Sequence, residues 1–347
     1  MAILRDLHSH LQPFEFTPDD FYVGRSEIPR AFVYAVTKKI KPAYVRLLEG
    51  GLRLVGKNYR LYEAYKIFTS DLAYQIRRYQ DNMEKSGVSS GVAHVIDLNP
   101  LDTPDYYGTG ALPYEAILEA YVEALKGQDP NKPQIRLFLG VDPRRANVLE
   151  LMEKFLTGPD TPFIGVKVYP KLGWKVNDHR RSFWYSKTLY RIYAFCASLG
   201  IPMMSHTSGG GLSGPDGMRT DVNEWHDVLF DFPKLHVCLA HSGGSYSFLK
   251  QRGMWLDVER VLLEHEFAFS GLSFHEHMVS RRSEYQRSFL KVMGSGVANK
   301  LLWGIDWPFT SILYPYSAGV SAFRAIAGES NLEIVSDNTD CYLGISV

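Results

Sequence analysis

Eight short β-rich runs recur along the chain, and over most of its length they are separated by helical stretches that close on glycine. This alternation limits the fold more than any other feature. The runs span residues 2–7, 88–98, 135–141, 163–169, 201–206, 235–241, 267–274 and 301–306. Between them, YEAILEAYVEALKG sets Ile117, Ala120, Tyr121 and Ala124 at i, i+3, i+4 and i+7 and stops at Gly127, as an amphipathic helix with a glycine cap does. SKTLYRIYAFCASLGIP behaves alike: Leu189, Ile192, Tyr193 and Cys196 form its stripe, Gly200 ends it, and Pro202 stops it from continuing into the next strand. Strands alternating with helices predict a parallel sheet, and eight of them predict an α/β fold of the (β/α)8 barrel type. The rival, a doubly wound open sheet, would normally carry a glycine-rich phosphate turn after its first strand, and none is present.

The 347 residues fit one large barrel, with 45% apolar content to fill its core. Residues 11–87 break the rhythm and are expected to form a helical insertion after strand one. From Arg25 to Arg78 it holds twelve Lys/Arg against four acids, interleaved with aromatics. The preferred reading is a helical subdomain with solvated charges over buried aromatics; a lid or partner surface favouring anionic ligands is the alternative. Over the whole chain 38 basic residues balance 38 acidic ones, so charge gives no reason to expect nucleic acid or a membrane as partner. Three cysteines without CxxC spacing, no 18-residue apolar run and no signal-peptide layout lead to the expectation of a cytoplasmic protein. The expected partner is a small-molecule substrate, and a homo-oligomer stays open.

In a parallel barrel, chemistry collects where strands run into their following loops. Strand one ends in DLHSH, giving His8 and His10 at i and i+2, a spacing that turns both imidazoles the same way. Strand four, FIGVKVYP, puts Lys167 between two valines and so points it inward, costly for an amine unless it is paired or chemically changed. Strands five, six and eight end at His206, His241 and Asp306. Imidazole and carboxylate suit borderline divalent ions, with Zn²⁺ the first expectation and Mn²⁺ or Fe²⁺ as alternatives. Each residue alone has an ordinary explanation, but jointly they define a candidate metal site. Tyr169, Trp174, Arg180 and Arg181 after strand four, His275 after strand seven and Trp307 after strand eight are candidate substrate contacts, an arginine there being able to clamp a carboxylate. His94, in the second run, is expected to be buried and hydrogen-bonded.

Two His, Lys, His, His and Asp in this order, with LAHSGG, LLWGIDWPF and a closing SDNTDCYLGI, resemble the amidohydrolase superfamily, and most closely its amidohydrolase-related branch. The likeness spans residues 1–10 and 88–347. It implies that His8, His10 and Asp306 hold a first metal ion, that His206 and His241 hold a second, and that Lys167 can be carboxylated to bridge them. VKVYP is also similar to the corresponding stretch of dihydroorotase, which carries such a lysine. Many members of the branch instead use one metal, with the strand-five histidine as ligand and the strand-six histidine as acid/base, so the count stays open between one and two. The implied activity is hydrolysis of a C–N or C–O bond in an amide, lactone or ester, with metal-activated water as nucleophile and Asp306 moving the proton. A decarboxylase on a mononuclear site is the alternative within the superfamily. A non-enzymatic protein stabilised by a metal is the alternative outside it.

Overall fold

The computed structural model describes residues 3–11, 13, 41–54, 60–98, 113–208 and 221–345. Eight strands form one parallel sheet in chain order: β1 (Arg5–Ser9), β2 (Ser90–His94), β3 (Gln134–Val141), β4 (Phe163–Val168), β5 (Met203–His206), β6 (Val237–Ala240), β7 (Ala268–Leu272) and β8 (Leu301–Trp303). The end of β1 meets the segment that follows β8 at an isolated parallel bridge, Ser9 with Trp307. There the Asp306 N–H donates to the His8 carbonyl and the His10 N–H to the Trp307 carbonyl, each at 2.5 Å. The expected (β/α)8 barrel is therefore the observed fold, its outer ring supplied by one principal helix after each strand.

Sequence explains how the outer helices start and stop. The helix Leu72–Ser86 is capped by the Asp71 carboxylate, which accepts from the Tyr74 N–H at 2.6 Å, and it ends on Gly87 in the left-handed region. Gly200 ends Ser186–Leu199 in the same way, at φ 66°. Gly127 ends Tyr114–Lys126 at φ −88°, without the left-handed turn that makes glycine necessary.

The helix Leu72–Ser86 buries Leu72, Ile76, Tyr79 and Met83 in the main core between strands and helices, so it is the barrel's own first outer helix. The extra material after β1 is what precedes it. Within that stretch the helices Pro42–Leu54 and Leu61–Phe68 bury Val45, Leu61, Ala64, Tyr65 and Phe68 against Ile96, Leu98, Tyr169, Leu172, Phe309 and Ile312. Those partners follow β2, β4 and β8, which puts the two helices over the C-terminal rim. Much of the basic segment, including Arg25, Arg30, Lys38 and Lys39, lies outside the described residues. No described helix is long and apolar enough to cross a membrane.

The barrel interior is filled by Leu7, Val92, Phe138, Met204, Cys238, Ala240, Phe269 and Leu302, with Tyr342 of the last helix among them. Against β2, β1 carries one extra residue: Asp6 lies opposite Gly91 but Ser9 opposite Ala93. Such a bulge re-aims the side chains it contains, so Leu7 joins the interior layer while His8 still reaches the rim.

Candidate metal centre

His8 and His10 come from the bulged end of β1, and Asp306 from the turn three residues past β8. One ligand atom from each lies within 4.8 Å of the others, and all three residues are buried. His10 Nε2 is 3.4 Å from Asp306 Oδ1, and His8 Nε2 is 4.0 Å from the same oxygen. Their approach depends on Gly304, because a Cβ there would stand 2.6 Å from the His8 Cβ and backbone nitrogen.

Hydrogen bonds fix which ring nitrogen is available. His10 Nδ1 faces the His94 carbonyl at 3.1 Å; a carbonyl only accepts, so Nδ1 carries a proton and Nε2 is the nitrogen turned toward Asp306. His8 Nδ1 lies 3.0 Å from Ser273 Oγ, which leaves its Nε2 facing inward. Burial, then the neighbouring Lys167, holds the His8 imidazole well below its ordinary pKa, so it is neutral, the form in which imidazole ligates. Two imidazoles and a carboxylate converging on one point are a donor set that a divalent ion of the zinc type fits.

Lys167 projects into the barrel from β4, buried, with Nζ 3.3 Å from His8 Nε2. Burial lowers its pKa to about 8, against which the Asp306 carboxylate pulls upward. His206 and His241 are close to each other, Nδ1 to Nε2 at 3.0 Å, and His241 Nδ1 is 3.9 Å from Asp306 Oδ2. His241 Nδ1 also faces the Ser273 carbonyl at 3.2 Å, which assigns the ring proton to that nitrogen. Burial, then Lys167, depresses the His241 pKa well below its usual value. The Tyr169 ring stacks on His206 at 4.3 Å between centroids. Among the described residues the three-ligand cluster at the rim is His8, His10 and Asp306, and His206 pairs with His241 beside it.

The backbone is bent where these side chains leave their strands. His241 has φ 66° and Asp306 φ 63°, left-handed values uncommon for residues with a Cβ and characteristic of functional turns.

The other predicted substrate contacts are placed differently. Arg180 is held by Asp227 and Asp231 of the helix Glu224–Asp231, and Arg181 reaches Asp178 at 3.5 Å. Their charges are spent on ion pairs among outer elements. Trp174 and Trp307 are each 1% exposed and belong to the main core, where Trp307 stacks on Tyr79 at 5.2 Å. His275 is fully buried: its Nε2–H donates to the His241 carbonyl at 2.8 Å, and its Nδ1 accepts from the Tyr285 hydroxyl at 2.5 Å. It supports the backbone of a candidate site residue. The buried arginines near the rim are Arg144 and Arg145 after β3, each bidentate to one carboxylate, Asp142 and Asp97 respectively.

Sequence reading missed three supports. Ser273 Oγ stands 3.0 Å from both His8 Nδ1 and His241 Nδ1. His94, wholly buried as expected, links two neighbours of the site: its carbonyl orients His10, and its Nε2–H donates to the Leu7 carbonyl at 3.0 Å. Asp6 accepts five hydrogen bonds, from the His8 and Ile305 N–H groups and the Ser9, Tyr79 and Tyr316 hydroxyls, and so ties β1 to the end of β8 and to two outer helices. Its signal, a carboxylate two residues before the first histidine of DLHSH, stood in plain view.

The fold and site together define a parallel (β/α)8 barrel whose rim gathers two histidines and an aspartate, a group that could hold a metal ion at the strand ends. The amidohydrolase family model matches residues 113–335, and the chain belongs to that family. No curated protein matches the sequence. Among solved structures, it is similar to a probable 2-pyrone-4,6-dicarboxylic acid hydrolase from Acinetobacter baumannii with citric acid bound (13% identity, TM-score 0.57, covering 98% of this chain and 99% of that one). A 2,6-dihydroxybenzoate decarboxylase from Rhizobium is also similar (13% identity, TM-score 0.58, 99% of each chain). So is a dihydroxybenzoic acid decarboxylase from Polaromonas with manganese and 2-nitroresorcinol bound (14% identity, TM-score 0.55, covering 99% of this chain and 98% of that one). At such identities the likeness is one of fold.

Proposed function

We propose that the protein is a metal-dependent hydrolase that cleaves a C–N or C–O bond of a small amide, lactone or ester with water as nucleophile. The observation that carries this reading is the convergence of His8, His10 and Asp306 within 4.8 Å, with both imidazoles buried and their Nδ1 atoms engaged. A divalent ion at this point, Zn²⁺ first and Mn²⁺ next, would polarise a carbonyl and make water acidic enough to ionise near neutral pH. His8 and His10 would hold it through Nε2, together with an Asp306 oxygen.

The remaining work falls to side chains of the chain itself. Asp306 takes the proton of the attacking water on a carboxylate oxygen and returns it to the leaving nitrogen or oxygen. His241, its Nδ1 proton directed at the Ser273 carbonyl, turns the Nε2 lone pair to His206 Nδ1 at 3.0 Å, so the two imidazoles form a proton-sharing pair beside Asp306. His206, stacked on Tyr169, is the second member of this pair. Lys167, with its pKa near 8, has at neutral pH a fraction of free amine, the form that carbon dioxide converts to a carbamate; so modified, it would add an anionic ligand beside His8.

The test is turnover of a panel of small lactones, cyclic amides, esters and aromatic acids in heavy-oxygen water, on protein loaded with zinc or manganese. Heavy oxygen in the product supports hydrolysis, whereas release of carbon dioxide without it assigns the chain to the decarboxylases. Asp306→Asn should abolish turnover while keeping the fold, and His8→Ala should lower bound metal by elemental analysis. Wild-type rates in Asp306→Asn would remove Asp306 from the mechanism.

A further inference from the structure

A second group of potential ligands lies outside the barrel, between the helices that follow β5 and β6. His226 is in the first turn of Glu224–Asp231, and Glu264 and His265 close Met254–Glu264. His226 Nδ1 is 3.0 Å from His265 Nε2 and 3.0 Å from Glu264 Oε2, and the three atoms lie within 4.8 Å of one another. The two histidines are half-buried and the glutamate is exposed. With a proton on Nδ1, a neutral His226 would face both His265 Nε2 and Glu264 Oε2 with that one hydrogen; without it, the Glu264 carboxylate faces a lone pair. Tetrahedral zinc with bonds of about 2.0–2.1 Å needs ligand atoms roughly 3.3 Å apart, close to the spacing seen here.

We propose that His226, Glu264 and His265 form a surface site for a zinc-type divalent cation that clasps two neighbouring outer helices. The ion would accept the lone pairs of His226 Nδ1 and His265 Nε2 and one Glu264 oxygen, leaving a fourth position to water, as two nitrogens and one oxygen suit a borderline cation. Ligation through Nδ1 puts the His226 ring proton on Nε2, which has no partner among the described residues, so this clasp is weaker than a fully supported centre and is the first to empty against a chelator. Lys300 does not compete for the position, because its ammonium donates to the Leu262 and His265 carbonyls at 2.6 and 2.5 Å. The clasped helix also holds the loop after β4, through Glu224 to Lys175, Asp227 to Arg180 and Asp231 to His179. A cation here would therefore brace that loop from behind.

Equilibrium dialysis of the full chain against zinc, with elemental analysis and thermal unfolding on the same samples, tests the proposal. The parent should bind one zinc per chain more than His226→Ala or His265→Ala. Zinc should raise the unfolding midpoint of the parent and of His10→Ala, but the part of the rise due to this clasp should be missing in His226→Ala. Glu264→Gln, at an exposed position, should fold normally and hold this zinc less tightly, which keeps the test decisive if a histidine variant fails to fold. Equal zinc content in the parent and all three variants would overturn the proposal. So would a zinc-induced midpoint rise in His226→Ala equal to that of the parent.

Discussion

Asparagine in place of Asp6 probes how the joint between β1 and β8 is charged. Asp6 is fully buried beneath five donors, yet desolvation outweighs them and lifts its pKa from the ordinary 3.8 to about 6. A carboxyl group with a higher pKa in the folded than in the unfolded chain holds its proton preferentially in the fold. Its contribution to stability is therefore complete below about pH 4 and is lost as pH rises through about 6. A shift of about two units corresponds to about 3 kcal/mol at 1.36 kcal/mol per unit. Asp6→Asn has no proton to lose at that position. In urea unfolding series on metal-stripped protein, the stability difference between variant and parent should move in the variant's favour by about 3 kcal/mol from pH 3 to pH 7. Other titrating groups occur in both proteins and largely cancel in the difference. A difference that stays flat over that range would refute the reasoning, since it would mean that the five hydrogen bonds hold the carboxylate at its ordinary pKa despite burial.

Two other substitutions probe the supports of the site. Gly304→Ala forces a methyl group to within 2.6 Å of His8, so β1 must shift; the expected cost is about 1–3 kcal/mol in chemical denaturation, with lower metal content by elemental analysis. Tyr285→Phe strips the buried His275 Nδ1 of its hydroxyl donor, which should lower stability by about 1–3 kcal/mol while leaving metal content unchanged; an unaltered urea midpoint would show that His275 finds another partner.

The order of strands was legible because β-rich runs alternate with amphipathic stretches, some closed by stops that depend on local chemistry alone, as at Gly200 and Pro202. The convergence of His8, His10 and Asp306 was legible for a related reason: in a parallel barrel, position along a strand already fixes the end of the molecule at which a side chain sits. Side-chain partners across the chain were not legible. Arg180 reads as a free cation in a loop, and only the fold brings Asp227 and Asp231 to it from 47 and 51 residues away. Trp307 reads as an aromatic beside a candidate ligand, but the stacking of Tyr79 from an outer helix turns it into core. The bulge in β1 left no mark in the spacing of DLHSH, and the part played by His94 depends on its carbonyl, a group every residue possesses.

The meeting of β1 and β8 has a consequence for how the molecule comes into being. His8 and Asp306 are separated by almost the whole chain, so a growing polypeptide on the ribosome owns its histidine pair long before the carboxylate that completes the trio exists. An ion that needed all three could be captured only once the ring has closed, so a chain cut short before Asp306 would lack the third ligand.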